Sequence, residues 1–238
     1  MLKLAIQSLP YFQNYRTFLI TFIVEPLFSI LMVGLLSSQF SSSFFIHTIV
    51  AMSIISGAQT LIATLNTEFV DDQKRGIDLE LAVSAPFSIP YWLSKIMAAL
   101  LVAIGQVLVI LTLIRLLTGD GSWLGRAFAI TPVALIFACI VGFVATVVAW
   151  RKSDPYFFGN VVGILIVLLS GVIVPLSHYP VWLKILTELL PFSHLMQWLI
   201  TGKGELLIDV VIALFWLILA ALVYRRKLKK VKEETNYL

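Results

Sequence analysis

Charge is scarce in this chain. Of its 238 residues 13% are Asp, Glu, Lys or Arg and 60% are hydrophobic, whereas an ordinary globular domain carries about 25% charged residues. That excludes a soluble domain and leaves an integral membrane protein. Cysteine is as sparse. The single Cys139 lies in an apolar run, where it can form neither an intrachain disulfide nor a thiolate metal site, and inert packing is the reading its surroundings suit. The three histidines, His47, His178 and His194, are scattered and no H-E-x-x-H occurs, so no metal site is expected. No Walker A loop is present, because Gly202-Lys203-Gly204 lacks both the leading glycine and the hydroxyl residue of that motif. No serine sits between the glycines of a nucleophile elbow, which leaves a hydrolase without its constellation. Internal repeats and low-complexity tracts are missing too.

What the chain has is long apolar runs. About 20 mainly apolar residues cross a bilayer core of roughly 30 Å, and six runs qualify: 17–36, 44–69, 91–117, 127–150, 156–175 and 206–224. In the third, Lys95 and Arg115 lie near the two ends, where snorkelling would place their charges in water. Residues 1–16 carry Leu2, Ala5, Ile6, Leu9 and Phe12 at helical spacing opposite Lys3, Gln7, Ser8 and Asn14, the pattern of an interfacial helix. A signal peptide fits less well, since Glu25-Pro26 interrupts the apolar core and no Ala-x-Ala site follows, so this segment is read as retained. Between spans five and six, two short apolar runs, 179–190 and 192–201, flank Pro191. Each is too short to cross, and they read as short re-entrant or interfacial helices, with Tyr179, Trp182 and Trp198 at headgroup depth.

The charges that exist are concentrated. Residues 225–238 form a basic tail carrying Arg225, Arg226, Lys227, Lys229, Lys230 and Lys232, a cluster suited to anionic membrane lipid. No basic surface extends it elsewhere, so no nucleic-acid partner is expected. With the N-terminus inside, 13 Lys and Arg fall on the cytoplasmic side and 4 outside, which places both termini and the loop between spans two and three in the cytoplasm. That loop holds six charges in ten residues: Asp71, Asp72, Lys74, Arg75, Asp78 and Glu80. Glu25 is the carboxylate well inside a span. An intramembrane acid is a functional candidate by default, and pairing with a polar group on a neighbouring helix is the structural alternative. Pro26 beside it is expected to kink the span. Asp154 reads as a turn and cap residue, and Asp209 as an interfacial carboxylate.

Two motif series point to a family. Arg75-Gly76-Ile77-Asp78-Leu79-Glu80-Leu81-Ala82-Val83-Ser84-Ala85-Pro86 resembles the R-G-T-L-E-x-L-x-x-[ST]-P segment between the second and third spans of ABC-2 type permeases, with Ile77-Asp78 in place of one threonine. Leu169-Ser170-Gly171-Val172-Ile173-Val174-Pro175, Tyr179-Pro180-Val181-Trp182-Leu183 and Leu189-Leu190-Pro191-Phe192-Ser193-His194 are similar to that family's S-G-x-x-x-P, x-P-x-W-L and N-P-L-[ST] series, with Leu190 where asparagine is common.

The resemblance implies an all-α integral membrane domain spanning 1–238, with six transmembrane helices and a coupling helix between spans two and three. It implies a permease subunit of an ATP-binding cassette exporter in a bacterial plasma membrane. That subunit would pair with a second permease subunit, as homodimer or heterodimer, and with a separate ATPase subunit. ATP and Mg would bind that partner, so this chain is expected to be no enzyme and to hold no cofactor of its own. Lys74, Arg75, Asp78, Leu79, Glu80, Ala82 and Val83 are the expected coupling residues, with Leu79, Ala82 and Val83 as an apolar ridge. Polar residues of spans one, two and five, Glu25, Gln59, Thr60, Thr64, Asn66 and Asn160, are the candidate translocation path. The cargo stays open among drugs, antimicrobial peptides, lipids and glycans. A non-transporting membrane anchor or immunity component is the alternative, and an intramembrane enzyme a more remote one.

Overall fold

The computed structural model describes residues 14–37 and 45–235. They form helices and connecting turns, with no strand among them. In chain order these are α1 (Tyr15–Leu19), a π-helical turn (Ile20–Val24), α2 (Glu25–Ser37), α3 (Phe45–Lys74), α4 (Ile77–Ser84), α5 (Ile89–Thr118), α6 (Leu124–Ala149) and α7 (Phe157–Leu169). A 3-10 turn (Leu176–His178), α8 (Val181–Thr187), α9 (Ser193–Thr201) and α10 (Leu206–Thr235) follow. The expected interfacial helix falls on residues 1–16, which lie outside the described set apart from Asn14–Arg16.

Among the described residues five helical stretches are long and apolar enough to cross a membrane: Tyr15–Leu36, Phe45–Lys74, Ile89–Thr118, Leu124–Ala149 and Leu206–Val231. The first is continuous through Pro26. A proline lacks an N–H and its ring crowds the carbonyl four residues back; here the preceding turn widens, and the Glu25 N–H bonds to the Ile20 carbonyl instead. The fifth expected span, 156–175, is helical only over the 13 residues Phe157–Leu169, about 20 Å of rise. Gly171, at φ +74, breaks it. Asp154 caps its start, its Oδ1 accepting from the backbone of Tyr156 (3.0 Å) and Phe157 (3.1 Å). The expected basic tail is helical as far as it is described: residues 225–235 continue α10.

α3 is the central helix. Its most apolar window is 78% buried, against 17% for α10. Close approach explains how so many neighbours fit around it. A Cβ at Gly57 would stand 2.2 Å from Val107 of α5, and one at Gly142 of α6 would stand 2.9 Å from Ile62, so glycine on one or the other partner lets the helices pack backbone to side chain. The resulting core joins Ile54, Ile55, Leu61 and Ile62 of α3 to Ile110, Leu135, Ile166 and Phe192.

α8 and α9 are the two short helices expected around Pro191. Trp182 is 63% exposed, but Tyr179 is buried, donating its hydroxyl to the Leu168 carbonyl (2.6 Å), and Trp198 packs on the core. Asp209 is fully buried rather than interfacial. Its Oδ2 accepts the Leu195 N–H (2.7 Å) and its Oδ1 lies 3.2 Å from His194 Nδ1, so α10 caps the start of α9.

Candidate functional site

The end of α3 that leads into α4 carries a buried ionic cluster. Glu68 and Asp72, four residues apart, share one side of α3 and face Tyr91 and Lys95, four apart on the antiparallel α5. Lys95 Nζ lies 3.0 Å from Asp72 Oδ2 and 3.4 Å from Glu68 Oε2, while Tyr91 donates its hydroxyl to Asp72. The Lys95 side chain is 14% exposed, Asp72 8% and Glu68 fully buried. Ions at that depth are tolerated only when paired, so this cluster fixes the registry of α3 against α5.

Beside it, α4 is clamped by aromatic residues. Gly76, at φ +73, turns the chain by a left-handed residue between Lys74 and Ile77, and α4 then lies across the ends of α3, α6 and α10. Phe69, Ala82, Trp150, Tyr224, Leu228 and Val231 form a buried cluster flanked by Leu79, Trp92 and Phe143. The Trp150 indole N–H donates to Asp78 Oδ2 at 2.9 Å, Tyr224 donates to the Pro86 carbonyl, and Trp92 donates to the Tyr224 hydroxyl at 3.2 Å. Gln73 Oε1 accepts the N–H of Arg151 (3.0 Å), which itself sits at φ +54. α4 and the turn after it are thus tied to three long helices, to α3 through the Gly76 turn, to the end of α6 through Trp150 and to α10 through Tyr224.

Further along α3, a polar cavity of about 540 Å³ opens between the first helical stretch, α3, α5 and α7. Glu25, Gln59, Asn66, Gln106 and Asn160 line it. Gln59 Nε2 donates to the Gly163 carbonyl at 3.0 Å, and Gln106 Nε2 approaches Ser56 Oγ at 3.4 Å. Asn66 Oδ1 and Gln106 Oε1 are buried and accept no hydrogen bond. Gly159 is what admits Asn66: a Cβ there would stand 2.7 Å from Asn66 Nδ2.

Residues 3–202 match the family model described as ABC-2 type transporter. This chain belongs to the ABC-2 type transporter family. No curated protein matches it significantly. As an ABC-2 family member with apolar helices long enough to span, it is a multi-pass membrane protein and a permease component of an ABC transporter. Membership implies, in general terms, partnership with an ATPase subunit.

The structure sorts the residues expected of such a permease. Lys74 and Arg75 are exposed, Lys74 lying 3.3 Å from Asp71. Glu80 and Val83 are exposed as well, Val83 to 58%. Asp78 and Ala82 point inward and Leu79 flanks the same cluster, so Leu79, Ala82 and Val83 do not make one outward ridge. The helix phase is set by the stripe Asp78, Leu81 and Ala82, all buried. Glu25, Gln59, Thr60, Asn66 and Asn160 meet in the cavity, whereas Thr64 turns its hydroxyl back to the Thr60 carbonyl (2.7 Å) and takes no part in the lining. Glu25 lines that space without an ion pair to any described residue. Lys95 does not snorkel; the carboxylates at 68 and 72 hold it. Sequence reasoning missed Glu68 as a partner and Gln106 as a lining residue. The four-residue spacings 68/72 and 91/95 were the available signal.

Proposed function

We propose that this permease forms the membrane path of an ATP-driven exporter and that α4 is its coupling helix, received by a separate ATPase subunit. ATP and Mg would bind that subunit, and this chain would catalyse nothing itself. The carrying observation is the division of α4 into two faces. Asp78, Leu81 and Ala82 lock it to α3, α6 and α10, while Ile77, Glu80 and Val83, three residues apart, remain exposed beside Lys74 and Arg75. A face on which apolar Ile77 and Val83 flank Glu80, with Lys74 and Arg75 beside them, offers a protein groove apolar and charged contacts together, and the locked face gives force a rigid route into the bundle.

In this reading the end bearing α4 and the Arg225 cluster faces the cytoplasm, consistent with the Lys and Arg bias. A second permease subunit completes the assembly. The polar cavity is this subunit's share of the path, and its amides, hydroxyls and single carboxylate suit a hydrogen-bonding solute. ATP-driven closure of the partner shifts the bundle between two packed states by differential binding energy.

The test is co-purification with the ATPase and measurement of stimulated turnover. Lys74→Glu/Arg75→Glu and Glu80→Lys/Val83→Asp are expected to abolish recruitment while the chain still inserts. Unchanged recruitment and turnover would overturn the assignment. ATP-dependent solute movement in vesicles separates an exporter from a mere membrane anchor.

A further inference from the structure

A second cavity, of about 630 Å³, is a slot between α5, α6 and α10 that lies apart from the polar one. It is lined by α5 from Ile89 to Ile96, by α6 from Cys139 to Phe143, and by α10 from Leu217 to Arg225. The α5 and α10 stretches each cover about two turns, roughly 10 Å of rise. Ile89, Phe143 and Arg225 mark the end beside α4, and Ile96, Cys139 and Leu217 the end towards the middle of the spans. The wall is hydrocarbon and aromatic except at Cys139 and Arg225. Trp92 and Tyr224 contribute rings, and their N–H and O–H groups are already engaged with each other and with Pro86. Arg225 is exposed and, like its neighbour Arg226, forms no ion pair among the described residues.

An apolar slot with the exposed guanidinium of Arg225 at its headgroup end, and Arg226 next to it in the chain, has the polarity of an anionic lipid. We propose that it binds an acyl chain of an anionic phospholipid, with the phosphate held at Arg225 and Arg226 and the chain running towards Cys139 and Leu217. Basic residues at the end of a span attract anionic headgroups, and arginine pairs with phosphate oxygens in bidentate geometry. Because Trp92 and Tyr224 line the slot on one side and hold α4 on the other, the lipid braces the wall that anchors α4. The inference depends on the membrane setting and not on the coupling assignment.

Photolabelling tests it. The full chain is reconstituted in phosphatidylcholine vesicles containing phosphatidylglycerol, with trace phosphatidylglycerol or phosphatidylcholine carrying a diazirine near the acyl terminus. Labelled peptides are then mapped by mass spectrometry. The expected result is phosphatidylglycerol label concentrated at residues 139–143 and 217–221, severalfold above the exposed face of α2 at Phe28 and Leu35. Arg225→Gln should lower it severalfold, and Ala221→Phe should remove it by filling the slot, while label on α2 is unchanged in both. Equal labelling by the two lipids, an even spread over exposed helices, or a slot protected from both lipids because protein covers it would each overturn the proposal.

Discussion

Two adjoining stretches of α3, the middle at 56–67 and the end from Glu68, use polar residues in opposite ways. At the end that meets α4, polar groups face complementary ones: Lys95 stands opposite Glu68 and Asp72, Tyr91 opposite Asp72, Trp150 opposite Asp78 and Tyr224 opposite the Pro86 carbonyl, with Glu68 meeting Lys95 as an ion pair rather than through a hydrogen bond. In the cavity further along the same helix, Glu25 has no ion partner among the described residues, and Asn66 Oδ1 and Gln106 Oε1 accept no hydrogen bond from them. Burial alone does not separate the regions, since Asn66, Gln106 and Glu68 are all nearly inaccessible. What separates them is whether a complementary group stands opposite. Paired polar groups fix registry and transmit displacement, whereas unpaired ones are available to something that enters.

Substitutions that cross this division should have effects of very different size. Lys95→Met leaves two buried carboxylates without their cation, and removing one partner of a buried pair costs about 3–5 kcal/mol. Denaturation of the detergent-solubilised protein should show that loss, and Lys95→Arg should recover part of it. Asp78→Ala leaves the Trp150 indole unsatisfied at a cost of about 1–3 kcal/mol, read in the same assay. Stimulated ATPase turnover should fall further than stability does, because α4 loses its tie to α6. Asp78→Asn, which keeps an acceptor, should be milder on both counts.

On the cavity side the balance reverses. Gly159→Ala pushes the Asn66 amide out of place, and its overpacking cost should stay near the low end of about 1–3 kcal/mol, because an amide tip can yield. Solute transport should drop severalfold. Glu25→Gln should change stability by no more than about 0.5 kcal/mol yet lower transport in the same vesicle assay; a large stability loss instead would place Glu25 with the structural group. The smallest effect belongs to Thr64→Val. It removes only a back-bond within α3, worth about 0.5–1.5 kcal/mol at most, and transport should be unchanged.

Much of this was legible before any coordinates. Five of the apolar runs begin within about three residues of the long helices, but α3 runs on to Lys74 and α10 to Thr235, past the expected ends at 69 and 224. Asp154 marks the cap of α7, because a cap acts on the few residues beside it. Gln59 and Asn66, seven residues apart, were bound to share a face of α3. The fate of Lys95 was not legible. Snorkelling and pairing are both open to a lysine near a span end, and only the antiparallel registry of α3 and α5 puts Glu68 and Asp72 within reach. Thr64 was grouped with the cavity by composition, but its hydroxyl bonds within α3.

The pair Ile77-Asp78, where relatives of the motif carry one threonine, shows where the boundary lies. Sequence alone determined a membrane protein of this family, with a charged helix between two spans, because hydrophobic run length and turn chemistry are local properties of the chain. Tertiary structure decided that Asp78 turns inward to Trp150 while Ile77, Glu80 and Val83 face out. The reason is physical: α4 is eight residues long, its own periodicity is too short to fix a phase, and the aromatic ends of α3, α6 and α10 choose it.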